Sequence, residues 1–580
     1  MRVPRKNGGT TARAIAGTRV VLFGMSRPES AIDGLLGFAI ERTELPGGEP
    51  RFLDNFIRFA ANDREDNPDH SSRHNPFQAF YWGDYTAKPD TEYRYRVIPL
   101  YGTSGALEER EPVELKVRTQ SETAGTHSIF FNRGAAASQA FAKSHHDPRP
   151  DKDKTGAAFR FLSRGLAEGL TAFIRQATGP EFALRGAFYE FHYKPVLDEF
   201  RKAGKRGADV KIVFDAVDNA KPATAKHDAV AAFPRDVNLT AIAAARLPAG
   251  MTKKRENKAR SDFAHNKFVV LLRNGVPEQV WTGSTNISEG GLYGQSNVGH
   301  LVRDGDVAAS YLEYWKQLFD DPDRDDLRSF DATNTPVPTK LELPPEGITT
   351  VFSPRPTKGV PDALKWYAKR MAESTGAVFL TAAFGVSGDL AAVFKTPEEK
   401  YLRYLLLDKV DKRGRPTIEL INRDPSNRVT PGAFIGKGGW RQWVEEKLTD
   451  LDGHVRFIHT KYMLIDPLGD DPIVITGSAN FSPHSTTGND ENMLVIRGDT
   501  EVADDYVGEF MRLFTHYQFR AKTKTPTDDV SPGPHENDTG TSPAKRLVLK
   551  ETSKEWANRF YVRGSPEEKE RLLFSGADDS

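Results

Sequence analysis

The chain has 580 residues, which at ~150 residues per domain predicts about three or four domains and excludes a single small binding module. Lys plus Arg and Asp plus Glu each total 80, so the net charge is zero, which excludes a protein that coats nucleic acid or anionic membrane through bulk charge. With no cysteine there is no disulfide framework, thiolate metal site or cysteine nucleophile. No apolar run approaches the ~20 residues that span a bilayer, so a soluble chain without an integral membrane segment is expected. The N-terminus is positively charged but lacks the apolar stretch of a signal peptide, and residues 1–18 are read as a disordered tail on a cytoplasmic protein.

From Arg19 to about Thr119 the pattern is β-like. Val20-Val21-Leu22-Phe23 is a short apolar run, and Tyr93, Tyr95 and Val97, then Val113, Leu115 and Val117, alternate with polar residues. Alternation of period two between Gly and Pro turns predicts a small antiparallel sandwich over residues 19–120, filled by Phe77, Phe80, Tyr81 and Trp82. Its last strands resemble those of a fibronectin type III domain. After Ser121 strands alternate with helices, which predicts a mostly parallel sheet. Ile129-Phe-Phe is a strand, Phe159–Gln176 a helix, Leu184–Phe191 a strand, Pro195–Lys205 a helix, and Val210–Phe214 a buried strand ending at Asp215. The same order begins again near Thr349: strand Thr350–Phe352, helix Asp362–Glu373, strand Ala377–Ala383, helix Asp389–Leu407, strand Ile418–Ile421. The chain reads as internally duplicated, with halves over 121–335 and 345–520. Residues 521–545 read as a linker, and 546–580 as a tail that either docks as a small helical element through Trp556, Phe560, Tyr561 and Leu572–Phe574 or stays disordered.

Each half ends in the same segment. The first is His265-Asn-Lys267, an apolar run, then Gly283-Ser284-Thr-Asn286; the second is His459-Thr-Lys461, an apolar run ending at Asp466, then Gly477-Ser478-Ala-Asn480. In both copies the glycine follows the histidine by 18 positions and the asparagine by 21. Histidine and lysine two apart on a strand share a face, and a Gly-Ser-x-Asn turn returns a hydroxyl and an amide beside them. This set suits phosphodiester cleavage. Two ammonium groups with Ser and Asn donors can stabilise the charge that grows on the phosphoryl oxygens without a metal or other cofactor. One imidazole can attack phosphorus while the other protonates the leaving oxygen.

The paired motifs resemble the phospholipase D superfamily, whose signature is His-x-Lys with an Asp seven residues after the His, followed by Gly-Ser-x-Asn, normally twice. The resemblance covers about residues 122–520. It implies a duplicated α/β fold, two mixed or parallel sheets flanked by helices about a pseudo-twofold axis, preceded here by the all-β sandwich. It also implies one shared site and a phosphohistidine intermediate. The catalytic set would be His265, Lys267, Asn286, His459, Lys461 and Asn480, supported by Ser284, Ser478, Asp466, Glu491 and Asn297. The first motif departs from the signature: the position matching Asp466 is Leu272. Eleven residues past Asn480 lies Glu491, where the family places a carboxylate that bonds the motif histidine; eleven past Asn286 lies Asn297. Pairing Glu491 with His459 would raise that histidine's pKa and make it the acid, leaving His265, beside Asn297, as the nucleophile.

Other features are weaker. His145-His146-Asp147 lacks a third metal ligand at useful spacing, and His127, His192, His300 and His454 read as surface or core histidines. Lys253, Lys254, Arg255, Lys258 and Arg260 form a basic run that either funnels an anionic polymer or is a solvated loop. Phe434, Ile435, Trp440 and Trp443 suit either insertion at a lipid interface, a peripheral membrane contact, or packing onto the core. The expected substrate is a phosphodiester: a phospholipid, because both motifs lie in one chain, with nucleic acid as the alternative and a degenerate non-catalytic scaffold as a third reading. Oligomeric state, and hydrolysis against transfer, stay open.

Overall fold

A computed structural model describes the chain except residues 65–66, 135–148, 223–229, 257–260, 387, 409, 411–413, 433–456, 524–546 and 578–580. His145-His146-Asp147, His454, Lys258, Arg260, the aromatics 434–443 and most of the expected linker lie outside the described residues. The structure divides into two units: residues 1–121, 398–402 and 500–580, and residues 122–397 and 403–499.

The first unit holds two antiparallel sheets. One has the order β1-β2-β3-β6, from β1 (Arg2–Asn7), β2 (Thr10–Ala16), β3 (Val21–Ser26) and β6 (Tyr81–Asp84). The other joins β4 (Leu35–Leu45), β5 (Arg51–Phe52), β7 (Glu92–Thr103) and β8 (Ala106–Glu109) in the order β5-β4-β7-β8, with β9 (Val113–Arg118) also on β7. Phe23, Phe38, Phe77, Phe80, Tyr95, Val97 and Leu115 fill one core between them. The expected disordered tail is a correction: residues 2–16 form a hairpin, because Thr10, Ala12 and Ala14 alternate inward and β2 pairs with β3 in full register. The helix Thr500–Thr523, expected inside the second half, belongs to this unit, held by Asp504 against Arg2 at 2.8 Å and Asp505 against the Thr18 hydroxyl at 2.7 Å.

The C-terminal segment is helical and docked. Trp556 and Phe560 enter the core around Phe80, and the Trp556 indole donates to the Leu35 carbonyl at 3.0 Å. The helix Pro566–Ser575 lies against β3, where Gly24 leaves no room for a Cβ beside the Phe574 backbone.

The second unit shows the duplication directly. In its first half β10 (His127–Phe131), β11 (Phe182–Phe188), β12 (Asp209–Asp215), β13 (Thr252–Arg255), β14 (Lys267–Arg273), β15 (Val276–Gly283) and β16 (Val298–Val302) take the order β10-β16-β15-β14-β11-β12-β13. In its second half β17 (Gly347–Ser353), β18 (Ala377–Ala382), β19 (Leu402–Leu407), β20 (Asn427–Pro431), β21 (Tyr462–Ile465), β22 (Ile473–Gly477) and β23 (Glu491–Arg497) take the order β17-β23-β22-β21-β18-β19-β20, the same path. The sheets are mixed and not mostly parallel. Strands separated by helices pair in parallel, β11 with β12 and β19 with β20, whereas the motif strands pair antiparallel, β14 with β15 across a tight turn and β15 with β16 across residues 284–297.

Three expected elements differ. The helix Phe159–Gln176 breaks into Ala157–Ser163 and Leu166–Arg175, with Arg164 and Gly165 left-handed between them. The expected helix Asp389–Leu407 stops at Lys395, before Thr396-Pro397. Leu402–Leu407, apolar but for Arg403 and buried on both faces, is then β19, and the expected strand Ile418–Ile421 lies in a helix, Arg415–Ile421. The helix Gly305–Asp320 ties the halves together: its Trp315 indole donates to Gly186 in β11, and its Tyr314 hydroxyl to Ser353 in β17.

Gly24→Ala should displace the C-terminal helix or overpack the interface, at a cost of about 1–3 kcal/mol. The expected result is a lower denaturation midpoint together with exposure of the Trp556 fluorophore, both read in one denaturant titration.

Candidate active site

The two motif segments meet between the halves. The backbone of Ala264 bridges Asp490 and that of Ser296 bridges Ile458, a matched pair of contacts that brings each histidine to the opposite half's third motif strand. Asp215, at the end of β12, accepts from the Ala264 amide at 2.7 Å; Asp408, one residue past β19, accepts from the Phe457 and Ile458 amides at 2.6 and 2.8 Å. A carboxylate therefore clamps the approach to each histidine. Neither was singled out as a site residue from sequence, although both follow the corresponding buried strand and the repeat could have revealed them.

The hydrogen bonds to the imidazoles cross between the halves. His265 Nδ1 lies 2.9 Å from both oxygens of Glu491, and His459 Nδ1 lies 2.9 Å from Asn297 Oδ1. The expected pairing of Glu491 with His459 is thus corrected: β23 delivers Glu491 across the pseudo-twofold to the other half's histidine. The motif serines hold these partners. Ser478 donates to Glu491 at 2.7 Å and Ser284 to Asn297 at 2.8 Å, and each serine oxygen in turn accepts a backbone amide at the start of the neighbouring strand. Both acceptors place a proton on Nδ1 and leave Nε2 to face the site.

The lysines are buried at 1% exposure. Lys267 donates to the His265 carbonyl at 2.6 Å and Lys461 to the His459 carbonyl at 2.7 Å. Burial pulls Lys267 down to about 8 against the opposing pull of Glu491 and Glu190, and burial with the Lys267 charge pulls Lys461 well below the usual ammonium range. Burial and the lysine charges likewise hold both imidazoles well below the ordinary histidine value, so both rest neutral. Glu491 is raised to about 7 by burial.

Asn286 and Asn480 sit with this group, each with a buried side-chain oxygen that has no partner among the described residues. Asn286 donates to Glu190 at 2.6 Å. Glu190 follows β11 and carried no signal at the sequence level. Its Oε2 lies 3.5 Å from His192 Nε2, which puts His192, read as an ordinary surface or core histidine, at the edge of the site. The Tyr189 ring packs edge-on against His265, and the His484 imidazole bonds the Ser261 carbonyl at 2.7 Å.

Asp466 lies at the far end of β21. It accepts from Ser374 at 2.6 Å and from the amides of Gly376 and Ala377 at 2.6 and 3.0 Å, fastening the loop that enters β18. Its counterpart Leu272 is buried in β14, where the entry to β11 is tied instead by the Asn274 amide on the Glu181 carbonyl at 2.6 Å. Among the described residues of the basic run, Arg255 is buried between Asp490 and Asp321 at 2.9 and 2.6 Å, Lys253 sits over the Phe319 ring, and Lys254 is exposed. His300 is buried against His127, at 2.9 Å.

The family model described as "Cardiolipin synthase, PLD-like domain" matches residues 170–319 and 394–514. No curated protein matches the chain. Among solved structures, polyphosphate kinase from Porphyromonas gingivalis is 12% identical over 61% of this chain and 48% of its own length, with a TM-score of 0.37, so the alignment spans about half of that enzyme. Phosphatidylserine synthase from Haemophilus influenzae is 13% identical over 61% of this chain and 85% of its own, with a TM-score of 0.41. The phospholipase D family member Nuc from Salmonella typhimurium is 16% identical over 29% of this chain and 95% of its own, with a TM-score of 0.21. The matched segments, somewhat under half of the chain, fall in both halves of the duplicated unit, and it is there that the chain is similar to a PLD-like domain.

Proposed function

We propose that the chain is a phosphodiesterase that works through a phosphohistidine and acts on phospholipid head groups. The observation that carries the chemistry is the pair of crossed hydrogen bonds, His265 to Glu491 and His459 to Asn297, beside two buried lysines. They differ in one way that assigns roles. N-phosphorylation puts positive charge on an imidazole, and a buried carboxylate stabilises that charge where a neutral amide does not. His265 is the nucleophile on this ground, the reverse of the argument from a Glu491–His459 pair, although the residue assigned is the same.

Nε2 of His265 attacks phosphorus as the P–O bond to the leaving group breaks, and the charge on the non-bridging oxygens is met by Lys267, Lys461 and the asparagine amides. His459 must then supply a proton. Resting neutral beside two cations, it takes one up when an anionic diester offsets the lysine charges. It passes this proton to the departing oxygen. In the second step His459 accepts a proton from water, the water oxygen bonds to phosphorus, and the P–N bond breaks to release a phosphomonoester. The description of the matching family, a cardiolipin synthase domain, supports a lipid substrate, and the burial of Arg255 removes one support for a polyanionic nucleic acid.

Purified protein should cleave phosphatidylethanolamine or phosphatidylglycerol vesicles and leave single- and double-stranded DNA intact; the opposite result overturns the lipid reading. His265→Ala and His459→Ala should each lower kcat by about 10³-fold or more. In His459→Ala given a substrate with a good leaving group, peptide mass spectrometry should find phosphate on His265; an adduct on His459 in the converse variant, with none on His265, would reverse the roles.

The pH dependence follows from the groups that titrate near neutrality. Below about 7 Glu491 gains a proton and ceases to support a cationic His265; above about 8 Lys267 loses its charge and the phosphate loses a cation. The kcat/KM for bis(p-nitrophenyl) phosphate should therefore be bell-shaped, with apparent limbs that belong to the coupled cluster. Glu491→Gln should remove the acid limb as well as slow the reaction.

A further inference from the structure

The two halves repeat one another strand for strand, so residues at matching positions can be compared. In the register of β11 with β14, Phe188 faces Lys267, and continuing it sets Glu190 opposite His265. In the second half β18 pairs with β21 and ends at Ala382, and Phe384 follows it by two residues, as Glu190 follows β11. At one place in the repeat, the first half has a carboxylate and the second an aromatic ring.

Their surroundings differ as much as their chemistry. Glu190 is 3% exposed, and one of its oxygens is used by Asn286. Its other oxygen, Oε2, is buried with no hydrogen-bond partner among the described residues, facing the equally unpartnered Nε2 of His192. The backbone around it is pinned: the Ile287 amide donates to the Glu190 carbonyl at 3.1 Å, and Asn238 accepts from the Phe191 amide at 2.7 Å. Glu190 Oε2 and His192 Nε2 lie 3.5 Å apart, too far or too poorly aligned for a hydrogen bond, and a buried, rigidly held carboxylate oxygen whose hydrogen bond is not closed is costly to keep. His192 also lines an open cavity of about 360 Å³ with Asp236 and Thr240. Phe384, by contrast, is 56% exposed and lines a cavity of about 40 Å³ with Phe481, Lys461 and Asn480.

We propose that Glu190 is a head-group subsite, its second oxygen accepting a hydrogen bond from an ammonium or hydroxyl group on one substituent of the phosphodiester, while Phe384 and Phe481 meet the apolar remainder. This rests on the lipid reading above and narrows it. Ethanolamine carries a cation and donors, glycerol carries donors without charge, and choline carries a cation without a donor. The subsite takes the first two.

The test compares kcat/KM for phosphatidylethanolamine, phosphatidylglycerol and phosphatidylcholine in mixed micelles, with bis(p-nitrophenyl) phosphate as a substrate that has no donor. The full-length wild type should prefer a donor-bearing head group over choline by about tenfold or more, and Glu190→Gln, which can still accept from Asn286, should cut that ratio by about tenfold. Because a uniform loss through Asn286 cancels in the ratio, a purely structural role would leave it unmoved. Loss of the ethanolamine preference alone assigns the oxygen to an ammonium, and loss of the glycerol preference alone to a hydroxyl. Ratios unchanged in both Glu190→Gln and Glu190→Ala, or a wild type that favours choline, overturn the subsite while the lipid reading stands. Turnover of bis(p-nitrophenyl) phosphate that requires His265, with none of the three lipids cleaved, overturns the lipid reading and the subsite with it.

Discussion

Each imidazole takes its partner from the other half, and much of the second unit serves that crossing. Glu491 reaches His265 only because Asp490, its neighbour, is bridged to Ala264, and Asn297 reaches His459 only because Ser296 is bridged to Ile458. Those bridges are short and would wander without support. Asp215 and Asp408 fasten the chain just before each histidine, Arg255 binds Asp490 from the other side, and the helix Gly305–Asp320 spans both sheets. A hydrogen bond weakens steeply with misalignment, so a shift of one half against the other would loosen both imidazoles together. Neither half could make this site alone.

The same arrangement concentrates charge where water is scarce. Two buried lysines are drawn well below their ordinary values, and the imidazoles between them are held neutral by burial and by the same cations. Such a cluster is unfavourable in the folded chain and becomes favourable when a phosphodiester anion enters, because the donors are already in place and need no reorganisation. The strain on the empty site and the affinity for a phosphoryl group are two readings of one set of charges.

What could be read from the sequence follows from what is periodic or repeated. The duplicated His-x-Lys and Gly-Ser-x-Asn spacing exposed the repeat, and alternation exposed the strands of the first unit. Neither can report on which half donates to which. Glu491 and Asn297 were recognisable by position, yet the crossing that sends Glu491 to His265 is a property of tertiary packing. Local patterns also misled. Leu402–Leu407 is apolar but for Arg403 and has no period, so it merged with the preceding helix until Pro397 and burial on both faces separated them. Residues 2–16 looked too polar to fold, but their inward positions are small and β3 supplies the pairing. Glu190 stands in no motif, and only the register of β11 against β14 brings it beside the motif residues.

Duplication builds a symmetric frame, but cleavage of a diester is not a symmetric task. In the mechanism proposed above, one side bears a covalent bond to phosphorus and the other moves a proton. The frame here is kept equal where both halves do the same work: serine and asparagine at matched positions, lysine on its own histidine's carbonyl, aspartate at the approach. It departs from equality at three matched places. Glu491 against Asn297 separates the charges available to the two imidazoles; Glu190 against Phe384 separates the polarity of the two flanks; Asp466 against Leu272 separates only the way a distant loop is tied. The first two differences lie beside the motif histidines and the third at the far end of its strand, so the missing aspartate of the first motif is a change of local fastening away from them.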